Sequence, residues 1–218
     1  MILPAGGQDG QEITGLAVLK AVKRVYDIKN TSGWGTFKKR GGTNMSSGDI
    51  VKLIISIVVC EGAGVIGSIF TVRNIPTWYK SLKKPPFTPP NQVFGPVWIT
   101  LYLLMGLAVF FIWRGGFTES GSVLAFTLFW IQLVINILWS VVFFGRKAIF
   151  GGVVVILLMW LLILATIVSS FTVSSVAGGL LIPYIIWVTI ASYLNIGVWR
   201  LNPAAPAEPA AGKPPEGG

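Results

Sequence analysis

Within one apolar stretch, Gln132, Asn136, Trp139 and Ser140 stand at i, i+4, i+7 and i+8. On a helix that spacing puts two amides, an indole and a hydroxyl on one face. An amide in hydrocarbon needs a partner, so this face is expected to point into a bundle. Two roles are open to it. The amides can tie neighbouring helices together, or they can anchor the polar group of a ligand while the Trp139 ring stacks on its flat face.

A second stretch carries Tyr184, Trp187, Ala191, Asn195 and Trp199. Trp187, Ala191 and Asn195 follow i, i+4, i+8, and the small residue between the larger two leaves room for a ligand or for a neighbouring backbone. A third holds Glu61 near its middle, next to Cys60. An ionisable group at that depth is costly. It reads either as functional or as a protonated hydrogen-bond donor inside the bundle. Gly62–Ser68 follows with rows of small residues suited to close helix packing. With one cysteine and no histidine, the chain lacks the ligands of a zinc site or of ordinary haem ligation, so no metal is expected. No hydrolase triad, Walker loop or dinucleotide fingerprint is present. Intramembrane carboxylates do not recur as an ion relay would require.

Ile75–Trp98 has the composition of a stiff connection. Its six prolines lie between Pro76 and Pro96, among Trp78, Tyr79, Phe87 and Phe94. Proline fixes φ and stops a helix, so an ordered loop is expected. Aromatics on such a loop suit a lid over an apolar cavity. They equally suit an interfacial aromatic belt with ordinary turn prolines.

The elements that must position these groups are membrane spans. Of 218 residues, 53% are hydrophobic and only 11% charged, against about 25% charged in a soluble domain. Five stretches reach the roughly 20 apolar residues a span needs: Ile50–Thr71, Asn91–Trp113, Ser122–Phe144, Ala148–Phe171 and Leu180–Arg200. The expected fold is therefore an all-α, multi-pass membrane bundle of five helices, over residues 48–202, with short connections between the last four. Pro183 is expected in a first helical turn.

Residues 1–47 read as a basic extension. Within it Val18, Ala21, Val22, Val25 and Ile28 oppose Lys20, Lys23, Arg24 and Asp27, the pattern of an interfacial helix or of a solvated arm. Lys20, Lys23 and Arg24 also interrupt the most apolar stretch there, so insertion is expected to rest on the first span and not on a cleaved signal. Residues 31–47 read as linker, and 203–218, rich in Pro, Ala and Gly, as a disordered tail. The net charge of +9 flanks the membrane, which makes lipid headgroups the partner and not nucleic acid. Loop charges favour a cytoplasmic C-terminus, while the basic N-terminal arm argues the other way.

These motifs, taken together, resemble the TspO/MBR translocator protein family. The resemblance rests on Trp78-Tyr-Lys-Ser-Leu-Lys-Lys-Pro-Pro-Phe-Thr-Pro-Pro, Phe94-Gly-Pro-Val-Trp-Ile-Thr-Leu-Tyr102, Gly115-Gly-Phe-Thr-Glu119, Gln132 through Asn136 to Trp139, Phe143-Phe-Gly-Arg146, and Pro183-Tyr-Ile-Ile-Trp187 through Asn195 to Arg200. It implies a five-helix bundle, commonly a homodimer, whose first loop closes a pocket for porphyrins, sterols or synthetic isoquinolines and benzodiazepines. The pocket residues it implies are Trp78, Phe87, Trp98, Asn136, Trp139, Trp187 and Ala191. No cofactor is implied beyond porphyrin as ligand. The family's sterol motif is broken, because Ile196 and Gly197 stand where a tyrosine belongs, which speaks against sterol binding there. The leading expectation is a receptor, transporter or sensor for tetrapyrroles. The alternative is an enzyme that degrades porphyrin with light and oxygen, with Trp139 as the candidate catalytic residue.

Overall fold

A computed structural model describes residues 45–118 and 120–203. The expected interfacial helix and nearly all of the linker and tail lie outside them. Helix α1, Ser47–Asn74, opens on a capping box: the Asp49 N–H donates to Ser46 Oγ at 3.1 Å, and the Ser46 N–H donates to Asp49 Oδ2 at 3.2 Å. This reciprocal pair satisfies two orphan donors and starts the helix a turn before the apolar run. The helix then continues through a π turn, Ile75–Tyr79. Pro76 has no N–H for the ordinary bond, and a widened turn lets the chain carry on past it. The connection expected after Thr71 is thus helical as far as Ser81, only residues 82–90 lie outside helices, and α2 begins at Asn91 as expected.

Helix α2 is Asn91–Arg114, and α3, Ser120–Ser140, runs into a second π turn, Val141–Gly145. Helix α4 is Ile149–Val173. Ser174 then caps a six-residue helix, α5, Ser175–Leu180, which joins α6, Ile182–Leu201, at Leu181. Together α5 and α6 make the fifth span, which begins earlier than its hydropathy suggests. Pro183 lies in the first turn of α6.

All five spans are long and apolar enough to cross a bilayer, and Val58, Val134 and Val168 stand exposed away from the cavity. Such a surface suits hydrocarbon, which has no water to offer. The protein is an integral, multi-pass membrane protein. Around the bundle the spans run first, second, fifth, fourth, third: α1 packs on α2 and α3, α4 on α3, α5 and α6, and α2 closes the ring against α5 and α6. The second and third spans, though joined by a short connection, touch only lightly. Close approach of α1 and α2 depends on glycine. A Cβ on Gly106 would stand 2.9 Å from Ile57 Cα, and one on Gly64 would stand 2.5 Å from the Tyr102 ring.

Candidate ligand cavity

A cavity of about 540 Å³ lies between α1, α2, the end of α3 and α6, within the roughly 300–1,000 Å³ of small-molecule sites. Its α1 wall includes Glu61, Gly64 and Ser68, with Ile75, Pro76 and Tyr79 from the π turn. Trp98 and Tyr102 come from α2, and Asn136, Trp139 and Ser140 from α3. Phe143 and Phe144 come from the second π turn, and Ala191, Leu194 and Asn195 from α6. The Trp98 and Trp139 rings lie 6.4 Å apart at 31°, and Trp139 stacks on Phe143 at 5.6 Å and 7°.

Of the residues singled out from sequence, Trp98, Asn136, Trp139 and Ala191 therefore meet at one cavity. The other three stand elsewhere. Trp78 lies behind the wall, edge-on to Phe143 at 5.5 Å and to Phe144 at 6.5 Å. Trp187 sits in a separate groove with Pro96, Leu101 and Pro183, its ring 5.6 Å from Phe94. Eight residues on a helix overshoot two turns by about 80°, so Trp187 and Asn195 face different neighbours. Phe87 is 92% exposed.

The loop over this end of the bundle is seated on α6. The Lys83 N–H donates to Asn202 Oδ1 at 3.1 Å, and Asn202 Nδ2 returns a bond to the Lys83 carbonyl at 2.9 Å. The Tyr193 hydroxyl donates to the Pro86 carbonyl at 3.1 Å. Lys84 Nζ lies 4.8 Å from the centre of the Tyr79 ring, and partial burial lowers its pKa below the ordinary lysine value. Between these anchors Thr88 Oγ1 donates to the Pro85 carbonyl at 2.7 Å, and Phe87 takes a φ of +64°.

Deeper in, a directed chain of hydrogen bonds crosses three spans. The Tyr102 hydroxyl donates to Asn136 Oδ1 at 2.6 Å, Asn136 Nδ2 donates to the Tyr184 hydroxyl at 2.8 Å, and that hydroxyl donates to Gln132 Oε1 at 3.0 Å. Both amides of α3 thus tie helices together, and Asn136 also lines the cavity. Tyr102, in the cavity wall, and Asn202, on the loop, are the positions of this site that sequence reasoning does not single out. Tyr102 was detectable, since it stands four residues after Trp98 on the same face. Asn202, beyond the last apolar residue, gives no signal of its own.

Residues 56–200 match the TspO/MBR family, a stretch that contains the cavity and the whole first loop. The chain belongs to the TspO/MBR family. It is 40% identical over 149 residues to protein CrtK of Rhodobacter capsulatus, covering 68% of this chain and 91% of that one. It is also 40% identical over 154 residues to the tryptophan-rich protein TspO of Archaeoglobus fulgidus, covering 71% and 99% respectively. Against the translocator protein of Homo sapiens it is 40% identical over 139 residues, 63% of this chain and 82% of that one. The TspO/MBR match ends at Arg200, so the Asn202 clamp on the loop lies just beyond it.

Proposed function

We propose that this protein is a membrane receptor or carrier for porphyrins and related flat, apolar ligands, held in the cavity between the first, second, third and fifth spans. The observation that carries the reading is the pairing of an aromatic cavity with a cationic end. Trp98, Trp139 and Phe143 offer flat surfaces to a ring system. Arg73, Lys80, Lys83, Lys84, Arg146, Lys147 and Arg200 all belong to the end of the bundle where the first and third connections and the end of α6 lie. No acidic residue stands there among the described residues. A porphyrin has the complementary form, an apolar disc with carboxylates along one edge. Relatives named translocator protein and tryptophan-rich sensory protein are consistent with binding linked to passage or to signalling. The test is titration of the purified protein in lipid discs with protoporphyrin, followed by tryptophan quenching at rising salt. Saturable binding that weakens with salt is expected. Affinity no greater than that of empty discs removes the proposal.

The enzyme reading draws on one observation of its own: Trp139, an oxidisable ring, is part of the cavity wall. It predicts a new absorbing product when the complex is illuminated in air.

A further inference from the structure

Glu61 is the one charged side chain among the residues that line the cavity, and it has no hydrogen-bond or ion-pair partner among the described residues. The donors around it are spent. Ser68 Oγ and Thr71 Oγ1, on the same wall of α1, donate to the Val65 and Ser68 carbonyls at 2.7 and 3.2 Å, and the Tyr102 hydroxyl donates to Asn136. On α1 the cations to either side are Lys52 and Arg73, about 14 and 18 Å away along the axis. A carboxyl at mid-span without a partner is costly, and it persists where it serves a cavity or a pathway. Gly64 lies against the Tyr102 ring and Gly106 against Ile57. Glu61 therefore stands one to two turns from Trp98 on the side away from the loop, about 9 Å. The cavity also opens sideways here. Val65 and Ile99 belong to its wall and are each 63% exposed, and in a bilayer what they face is hydrocarbon.

Resting on the reading of this cavity as a ligand site, we infer that Glu61 forms a second subsite, beyond the aromatic one, that takes the amino group of a lipid-soluble amine drawn sideways from the bilayer. An amine supplies what this carboxyl lacks, up to three N–H donors. The pair is net neutral whether the proton sits on oxygen or on nitrogen, so no unpaired charge is left in hydrocarbon. With the proton on nitrogen the bond is charge-assisted, roughly twice as strong as a neutral one. An alcohol offers a single neutral donor, and a carboxylate would meet a like charge. The cavity is thus polarised from end to end. Carboxylates belong at the cationic end by the loop and an amine at the Glu61 end, while Trp98 and Trp139 hold the flat part of a ligand.

The test compares 1-pyrenebutylamine with 1-pyrenebutanol, which share rings and arm and differ only in the terminal group. Binding to the full chain in phosphatidylcholine discs at neutral pH is read by energy transfer from tryptophan to pyrene. Empty discs give each probe's partition into lipid. After that correction the wild-type protein should prefer the amine by about tenfold, the size of one hydrogen bond to a charged group. Glu61→Gln and Glu61→Leu should bind the two probes equally, with the affinity for the alcohol unchanged. Both variants should insert and fold, because removing a charge from mid-span eases insertion. Equal wild-type affinities, binding of neither probe, or a preference that survives in both variants would each overturn the inference. So would loss of the folded protein in both, since Glu61 would then be holding the bundle together. Protoporphyrin is titrated on the same wild-type samples. Porphyrin binding without amine preference sinks this inference alone, and amine preference without porphyrin binding sinks the tetrapyrrole reading alone.

Discussion

The Pro85 ring fills the space that a side chain on Gly197 would need: a Cβ there would lie 2.6 Å from Pro85 Cγ and 2.8 Å from its Cβ. The first loop therefore rests directly on the α6 backbone. Gly197→Ala must push the loop away or bend the helix, at about 1–3 kcal/mol. The expected outcome is a lower melting temperature in detergent and faster protease cleavage in residues 82–90, with all five spans still inserted.

The same contact bears on sterols. A tyrosine at 197 would complete the spacing of the sterol motif but would collide with Pro85, so the loop seat and that motif compete for one position. A photoactivatable cholesterol probe at low concentration should not label Leu194–Arg200. Specific labelling there, blocked by unlabelled sterol, would contradict this.

Pro85, Pro86, Pro89 and Pro90 hold the loop in the shape that its anchors on Tyr193 and Asn202 select. Changing all four to alanine adds freedom that must be lost on binding. Porphyrin affinity should drop while helix content by circular dichroism stays the same. Unaltered affinity would mean that the loop does not govern the cavity.

Phe87 pays no return in packing for its left-handed backbone, being almost fully exposed. Positive φ costs a residue with a Cβ about 1–2 kcal/mol, and a proline followed by a positive-φ residue is the pattern of a turn that prefers glycine. Phe87→Gly should leave stability unchanged or raise it slightly in detergent, and should not weaken porphyrin binding. A clear loss of binding would show that the exposed ring takes part in capture.

Tyr184 and Tyr102 should not tolerate phenylalanine equally. Removing the Tyr184 hydroxyl strips a partner from both Asn136 and Gln132, whereas removing that of Tyr102 strips only Asn136. Tyr184→Phe is expected to cost about 1–2 kcal/mol and Tyr102→Phe about half that, toward the range of hydrogen bonds between spans. Equilibrium unfolding in mixed micelles would rank them, and equal losses would mean the chain does not act as drawn.

The spans were legible in the sequence because the bilayer demands length and hydropathy of each one separately. Their ends were less so. Pro76 reads as a stop, yet a π turn absorbs it and extends the first helix to Tyr79. The order of the spans around the bundle was not legible, since it depends on how closely backbones approach at Gly64 and Gly106. At the cavity, the family resemblance brought together Trp98, Asn136, Trp139 and Ala191, which the structure places in one wall. It could not tell which way Phe87 turns, because that rests on one backbone angle, or that Trp187 slips round its helix into a second groove. Nor could it separate the two asparagines. Asn136 finds its partners on α2 and α6, and Asn195 finds none among the described residues. That difference exists only once the helices are assembled.

The bonds between Lys83 and Asn202 join residues 119 apart in the chain. During synthesis the first connection is thus laid down long before the helix that holds it. Until α6 has been threaded into the bilayer, that connection has nothing to rest on and the cavity lacks its Ala191–Asn195 wall. The site is consequently among the last parts of the bundle to be completed: the contacts that seat its loop and its Ala191–Asn195 wall are long-range in sequence and can form only after the fifth span is in place.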